Sequence, residues 1–345
     1  MILQFLARYF TSQPRLPTFD ELPSFHDMPG CGWIWGENDQ LGTVNLLSDE
    51  IVQRACREEV RIGKSISLNW PINFPEKPLF HRHAARHETH LIHGYDNPAL
   101  RDDTLFLNPQ SGSQWDGLKH FGILEHGIYY NNVKASSIPV GSVDCTDPKA
   151  VDPASLKLGI QNWANHGICG RGVLLDMVRY WETKGTPADP WADRAITLNE
   201  LEECAKAQGV TFRRGDILLL RIGFIRKYCE STNEERDQLA TLEVDLSKFA
   251  GIEPTDDMKR FLWNNHFSAI ASDQPTLEVW PVPEGHLHLH QTLLGLWGMP
   301  IGEFFDLEAL SQFCFESKRY SFFFSSWPLN ILGGVASPPN ASAMF

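Results

Sequence analysis

No run of this sequence approaches the roughly 18 uninterrupted apolar residues that a membrane-crossing helix needs, and no segment is repeated or of low complexity. The cysteines are scattered. Cys31, Cys56, Cys145, Cys169, Cys204, Cys229 and Cys314 never form a C-x-x-C pair, which excludes a disulfide framework and zinc-finger spacing. Positive charge is scarce: 30 Lys and Arg stand against 43 Asp and Glu, a formal charge of −13. Nucleic acid and anionic membrane are therefore poor partners, because binding would work against the net field. There is no G-x-S-x-G elbow, no G-x-x-x-x-G-K-[ST] loop and no G-x-G-x-x-G after a strand, and GICGRG at 167–172 has the wrong spacing. The apolar opening MILQFLARYF is interrupted by Arg8 and lacks a small-residue cleavage site, so it reads as neither leader nor anchor. A soluble, cytoplasmic setting with reduced thiols is the default.

What is present suits a globular enzyme. The chain has 345 residues, with 42% hydrophobic and 21% charged residues, and its 26 Gly and 22 Pro foretell many turns. No Gly/Ser-rich linker divides it, so one compact domain over 46–345 is expected, with a loop-rich extension over 1–45 wrapped on the core. SDEIVQRACREEVRIG, from Ser48, has a capping serine and early acids, as a helix does. SISLNWPI (65–72), GVLLDMV (172–178), GDILLLRIG (215–223), HFSAIASD (266–273) and SFFFSSW (321–327) read as strands. Residues 73 to about 115 read as irregular. TLNELEECAKAQG carries a Thr197/Glu200 capping box and stops at Gly209; PTDDMKRFLWNN and LHQTLLGLWG complete a pattern of helices between strands. That alternation gives an α/β fold.

Three stretches could carry chemistry. In NPQSGSQWDGLKHFG, Gln110, Gln114, Asp116 and His120 sit at even offsets, so an extended chain would turn them to one face. A straight strand rises about 3.3 Å per residue, too much for Gln110 and Asp116 to meet on one ion. They converge only if the chain bends at Ser111, Gly112 and Gly117; otherwise this is a polar loop. In EGHLHLHQTLLGLWGMPIGEFFDLEAL, a turn between Gly298 and Gly302 could return Glu303 to His290, an imidazole and carboxylate suited to a divalent cation. The plainer alternative leaves His286 and His288 exposed and Glu303 in the next helix. HRHAARHETHLIH holds His81, His83, His87, His90 and His93, fails the H-E-x-x-H pattern, and reads as a solvated or substrate-covering loop. Cys169 beside His166 shows no sign of an activated thiol.

The first two stretches together resemble the cyclase-like metal hydrolase family that includes kynurenine formamidase and isatin hydrolase. QSGSQWDGLKH at 110–120 overlays the family signature H-x-G-T-H-x-D-x-P-x-H: Gly112, Asp116 and His120 match, Ser113 stands for Thr, Gln110 and Gln114 replace two histidines, and Leu118 replaces proline. LHQTLLGLWGMPIGEFFDLEAL is similar to the family's L-H-x-x-L-L…G-E segment, and GRGVLLD, ASDQPTLEVWP, GDILLLRIG and DQLGTVNLL look like longer, fungal-type members. The resemblance implies a compact, swivelling β/β/α fold, a homodimer or homotetramer, and a small-molecule substrate. It implies a divalent metal held by Asp116, His290 and Glu303, with Gln110 and Gln114 either ligating it or hydrogen-bonding the substrate. Amide ligands favour Mn²⁺ over Zn²⁺. His120, with Asp116, would be the acid/base, and Trp115, Phe121, Tyr130 and Arg171 would line the substrate. The implied reaction is hydrolysis of a C–N bond in a small amide, formamide or lactam. A cyclase, dehydratase or isomerase of secondary metabolism is the alternative, and a silent binding protein the third.

Overall fold

The structure is a computed structural model and describes residues 15–345 apart from 96 and 148; the apolar opening at 1–10 lies outside the described residues. Nine strands form one mixed sheet. In spatial order they are Ser65–Ser67, Ala341–Met344, Ser321–Ser326, Ile168–Asp176, Ile217–Arg221, Ala269–Ser272, Ile301–Glu303, Gln114–Asp116 and Ala336–Ser337. The four strands from Ile168–Asp176 to Ile301–Glu303 are mutually parallel, and the flanking pairs are antiparallel. Parallel strands are covered on both faces, which is why Ile217, Leu218, Leu219 and Leu220 read as a continuous apolar run and are all fully buried. The crossovers are helical: Met177–Lys184 and Leu198–Gln208 precede the second parallel strand, and Phe224–Glu230, Asn233–Thr241 and Asp256–Asn264 precede the third. This is the α/β architecture expected.

Local chemistry explains most of the boundaries. The Leu198–Gln208 helix starts with the reciprocal Thr197/Glu200 box and ends at Gly209 in a left-handed conformation, as read from sequence. The strand read as 172–178 instead runs Ile168–Asp176, and the Asp176 carboxylate accepts from Arg179 N–H to start a helix at Met177. SISLNWPI contributes only Ser65–Ser67, and HFSAIASD only Ala269–Ser272. The stretch expected to be irregular contains a β-hairpin, Arg86–Leu91 against Arg101–Phe106, exposed along its length. With no apolar alternation toward a core, its pattern could not be told from a loop.

Residues before the first helix lie against the core. Trp33 Nε1 donates to Gly295 O (2.9 Å), Trp297 Nε1 donates to Gly30 O (2.8 Å), and Thr43 N–H donates to Gly298 O (3.2 Å). Gly42 (φ +63°) and Gly298 (φ +64°) meet backbone to backbone, and a Cβ on Gly42 would stand 2.0 Å from Gly298 O. Neither position has room for a side chain.

Candidate metal centre

The strand pair Gln114–Asp116 and Ile301–Glu303 builds the centre. Its antiparallel register sets Glu303 opposite Gln114, Gly302 opposite Trp115 and Ile301 opposite Asp116. Gln114, Asp116 and Glu303 consequently share one face, while Trp115 projects from the other. The chain does return after Gly298, but Glu303 ends a strand and is not in a helix. His290 leads a buried π-helical segment, Gln291–Trp297, whose end at left-handed Gly298 redirects the chain.

These residues converge. Nitrogen or oxygen atoms of Asp116, His120 and His290 lie within 4.8 Å of one another. His290 Nε2 is 3.4 Å from Glu303 Oε1 and 3.9 Å from Asp116 Oδ2. Asp116, Glu303 and His290 are buried, and the His120 side chain is 21% exposed. Gln110 Nε2 and Gln114 Nε2 both donate to Asp116 Oδ1 (2.9 and 3.0 Å), and Gln114 Nε2 also donates to Glu303 Oε2 (2.7 Å). The structure thus turns the two amide nitrogens, not their oxygens, toward the carboxylates. Asp116 Oδ2 is buried and has no hydrogen-bond partner.

Electrostatics follow from the burial. Desolvation, helped by Asp116, pushes the Glu303 carboxyl up to about 8. Burial works against the charged form of His290, but Glu278 and Glu303 outweigh it and hold the imidazole well above its ordinary value. Glu278 is pushed down to about 2: burial opposes this, and His290 and His288 overcome it. Burial lowers His120, with Asp116 acting in the opposite direction.

Two members of this group were not singled out from sequence. Glu278 Oε2 lies 2.7 Å from His290 Nδ1. Arg82, half-buried, donates from Nη1 to Gln110 O (2.6 Å) and Gln114 Oε1 (3.4 Å). A lone acid in the apolar stretch TLEVWP is the one available signal for Glu278, since buried carboxylates are rare without a partner. Nothing local marks Arg82 among the surrounding histidines. His87 on the exposed hairpin pairs with Asp103 (2.7 Å), and His81 with Glu243 (3.3 Å), so both face solvent and not the centre.

Three residues expected to line the substrate do not. Trp115 is fully buried, packs on Phe305 and Phe324, and donates from Nε1 to Ser326 Oγ (2.8 Å). Tyr130 is fully buried with its hydroxyl on Asp39 (2.8 Å). Arg171 is locked in buried ion pairs with Glu59 (3.1 Å) and Asp216 (2.7 Å). Phe121 does border the centre, with its ring 5.4 Å from that of His290 and 5.5 Å from that of His288.

The Cyclase family model matches residues 49–279, well over half of the chain. The chain belongs to the Cyclase family of enzymes. The matched span includes Gln110 to His120 and Glu278 and stops before His290 and Glu303. Among solved structures, one described as a novel cyclase is 29% identical, covers 90% of this chain and 98% of its own, and superposes with a TM-score of 0.76. Isatin hydrolase A from Ralstonia solanacearum is 14% identical, with coverage of 81% and 91% and a TM-score of 0.53. An isatin hydrolase bound to the product analogue thioisatinate is also 14% identical, with coverage of 84% and 94% and a TM-score of 0.54. At that identity these two likenesses speak to fold alone. No curated protein matches the chain in sequence. Among the described residues, no helix is long and apolar enough to cross a membrane.

Proposed function

We propose that this cyclase-family enzyme is a divalent-metal-dependent hydrolase of a C–N bond in a small amide, formamide or lactam. One observation carries the reading: Asp116 Oδ2 is buried, accepts no hydrogen bond and faces His290 Nε2 at 3.9 Å, the same nitrogen that lies 3.4 Å from Glu303 Oε1. Three buried carboxylates, Asp116, Glu278 and Glu303, surround one imidazole; without an ion their charge is offset by protons on Glu303 and His290, which a cation would replace. The donor set fits a hard divalent ion, with Asp116, His290 and Glu303 holding it, and its oxygen-rich character favours Mn²⁺ over Zn²⁺. When bound, such an ion supplies an activated water and a polarised carbonyl.

The chain's own residues do the rest. Burial favours the neutral form of His120, whose single lone pair, at Nδ1, accepts from Gln110 Nε2; taking a proton there displaces that amide. Gln110 Nε2, 2.9 Å from His120 Nδ1, keeps that ring beside Asp116. Phe121 offers an apolar wall next to the ligands. The test is hydrolysis of an amide or lactam panel before and after chelation: activity should vanish and return with Mn²⁺, and the product should gain the mass of one water. Full activity in metal-free protein refutes the reading.

A second reading has an observation in its favour. With Gln110 and Gln114 donating hydrogen bonds to the carboxylates, only one imidazole remains among the three proposed ligands. A cyclase, dehydratase or isomerase would use such a pocket without adding water. A product of unchanged mass, or lighter by one water, would select it.

A further inference from the structure

The carboxylate of Glu278 is fully buried, yet it belongs to neither strand that builds the centre. A backbone clamp seats it. Thr276 Oγ1 donates to Glu278 O (2.9 Å), Ile252 pairs with Glu278 in a β-bridge, and Leu277 between them adopts φ +51°. Gly251 presses against the same segment so closely that a Cβ there would lie 2.2 Å from the Glu278 carbonyl carbon. The outcome of this construction is one contact, Glu278 Oε2 to His290 Nδ1 at 2.7 Å. The other oxygen, Oε1, is buried without a hydrogen bond, with His288 Nδ1 at 3.8 Å.

An imidazole presents either nitrogen to a partner, and which one is free depends on what the other donates to. With Nδ1 committed to Glu278, Nε2 is the atom left facing Asp116 Oδ2 and Glu303 Oε1. We infer that Glu278 is a positioning residue of the cation site: it fixes the ring orientation of His290 so that Nε2 alone serves as ligand. This rests on the metal-dependent reading given above and adds to it a residue that touches neither ion nor substrate. Asp116 is handled in parallel. The two glutamine amides occupy Oδ1 and leave Oδ2 as the single outward oxygen, so two ligands are each reduced to one defined atom.

The test is Mn²⁺ binding by calorimetry on the full chain, with folding followed by circular dichroism. Removing a carboxylate behind a ligating histidine lowers metal affinity by about 10–100-fold. Glu278→Gln retains an oxygen that accepts from Nδ1–H and should weaken binding by about tenfold, with Glu278→Ala nearer a hundredfold. Thermal midpoints need not follow that order. The isosteric glutamine keeps the test informative if the alanine variant does not fold. Folded variants that bind Mn²⁺ as tightly as wild type overturn the positioning role while leaving the metal site standing, provided Asp116→Asn abolishes binding. Wild-type protein that takes up no Mn²⁺ overturns both.

Discussion

Loading a cation into this centre should expel protons, and the number can be worked out. Glu303, with its carboxyl pushed up to about 8, is roughly nine-tenths protonated at pH 7. His290 is held well above its ordinary value by Glu278 and Glu303 and so favours its protonated form. Both must be deprotonated to act as ligands. Binding of Mn²⁺ at pH 7 should therefore release about one proton from Glu303 and a further contribution from His290, and apparent affinity should rise by about tenfold or more per pH unit between pH 6 and 7. Above pH 8 Glu303 is already ionised, and the slope should fall as its contribution is lost. The assay is calorimetry at fixed pH in buffers of different ionisation enthalpy, where the slope of apparent enthalpy counts the protons. Glu303→Gln should reduce the count by about one. A count below about one half in wild type would show that Glu303 and His290 do not ligate as described.

Other consequences can be checked independently. His120→Ala should lower kcat by about 10²–10⁴-fold while leaving Mn²⁺ binding intact. Replacing both glutamines, Q110H with Q114H, exchanges two amide donors for imidazole lone pairs and should shift the metal retained on purification from Mn²⁺ toward Zn²⁺, read by elemental analysis. Trp115→Phe removes the indole bond to Ser326 and some core volume, so stability should drop by about 1–2 kcal/mol with KM unchanged. The Asp273 carboxyl, pushed up to about 7 mainly by complete burial, accepts the backbone N–H groups of Ile222 and Gly223. Its folded-state value lies above its unfolded one, so the stability it contributes is complete below about pH 4 and is lost as pH rises through about 7. Urea titrations of wild type and Asp273→Asn should accordingly show wild type losing ground to the variant between about pH 4 and 7, and no further change above that.

The sequence made some of this legible for identifiable reasons. Parallel-strand cores such as Ile217–Arg221 announce themselves as unbroken apolar runs, and the Thr197/Glu200 box with Gly209 marks a helix at both ends. Even spacing placed Gln114 and Asp116 on one face correctly, because that stretch is a strand. What no local pattern could supply was the partner: the strand Ile301–Glu303 is three residues long, and only its pairing with Gln114–Asp116 gives it meaning. Glu278 and Arg82 approach through tertiary packing alone. Trp115 and Tyr130 invited a substrate role by proximity in sequence, but on a pleated strand the neighbour of a site residue faces away from it, as Trp115 does.

The contact between Gly42 and Gly298 has a practical meaning for anyone re-engineering this chain. His290 stands eight positions upstream of Gly298, at the far end of the same buried π-helical segment, and that segment is moored at its exit by Thr43. Shortening the leading arm past this mooring, or lengthening the loop before it, would loosen the seat of an ionisable ring without altering any residue around it. Chimeras that exchange the arm between relatives should therefore carry both glycines as a matched set.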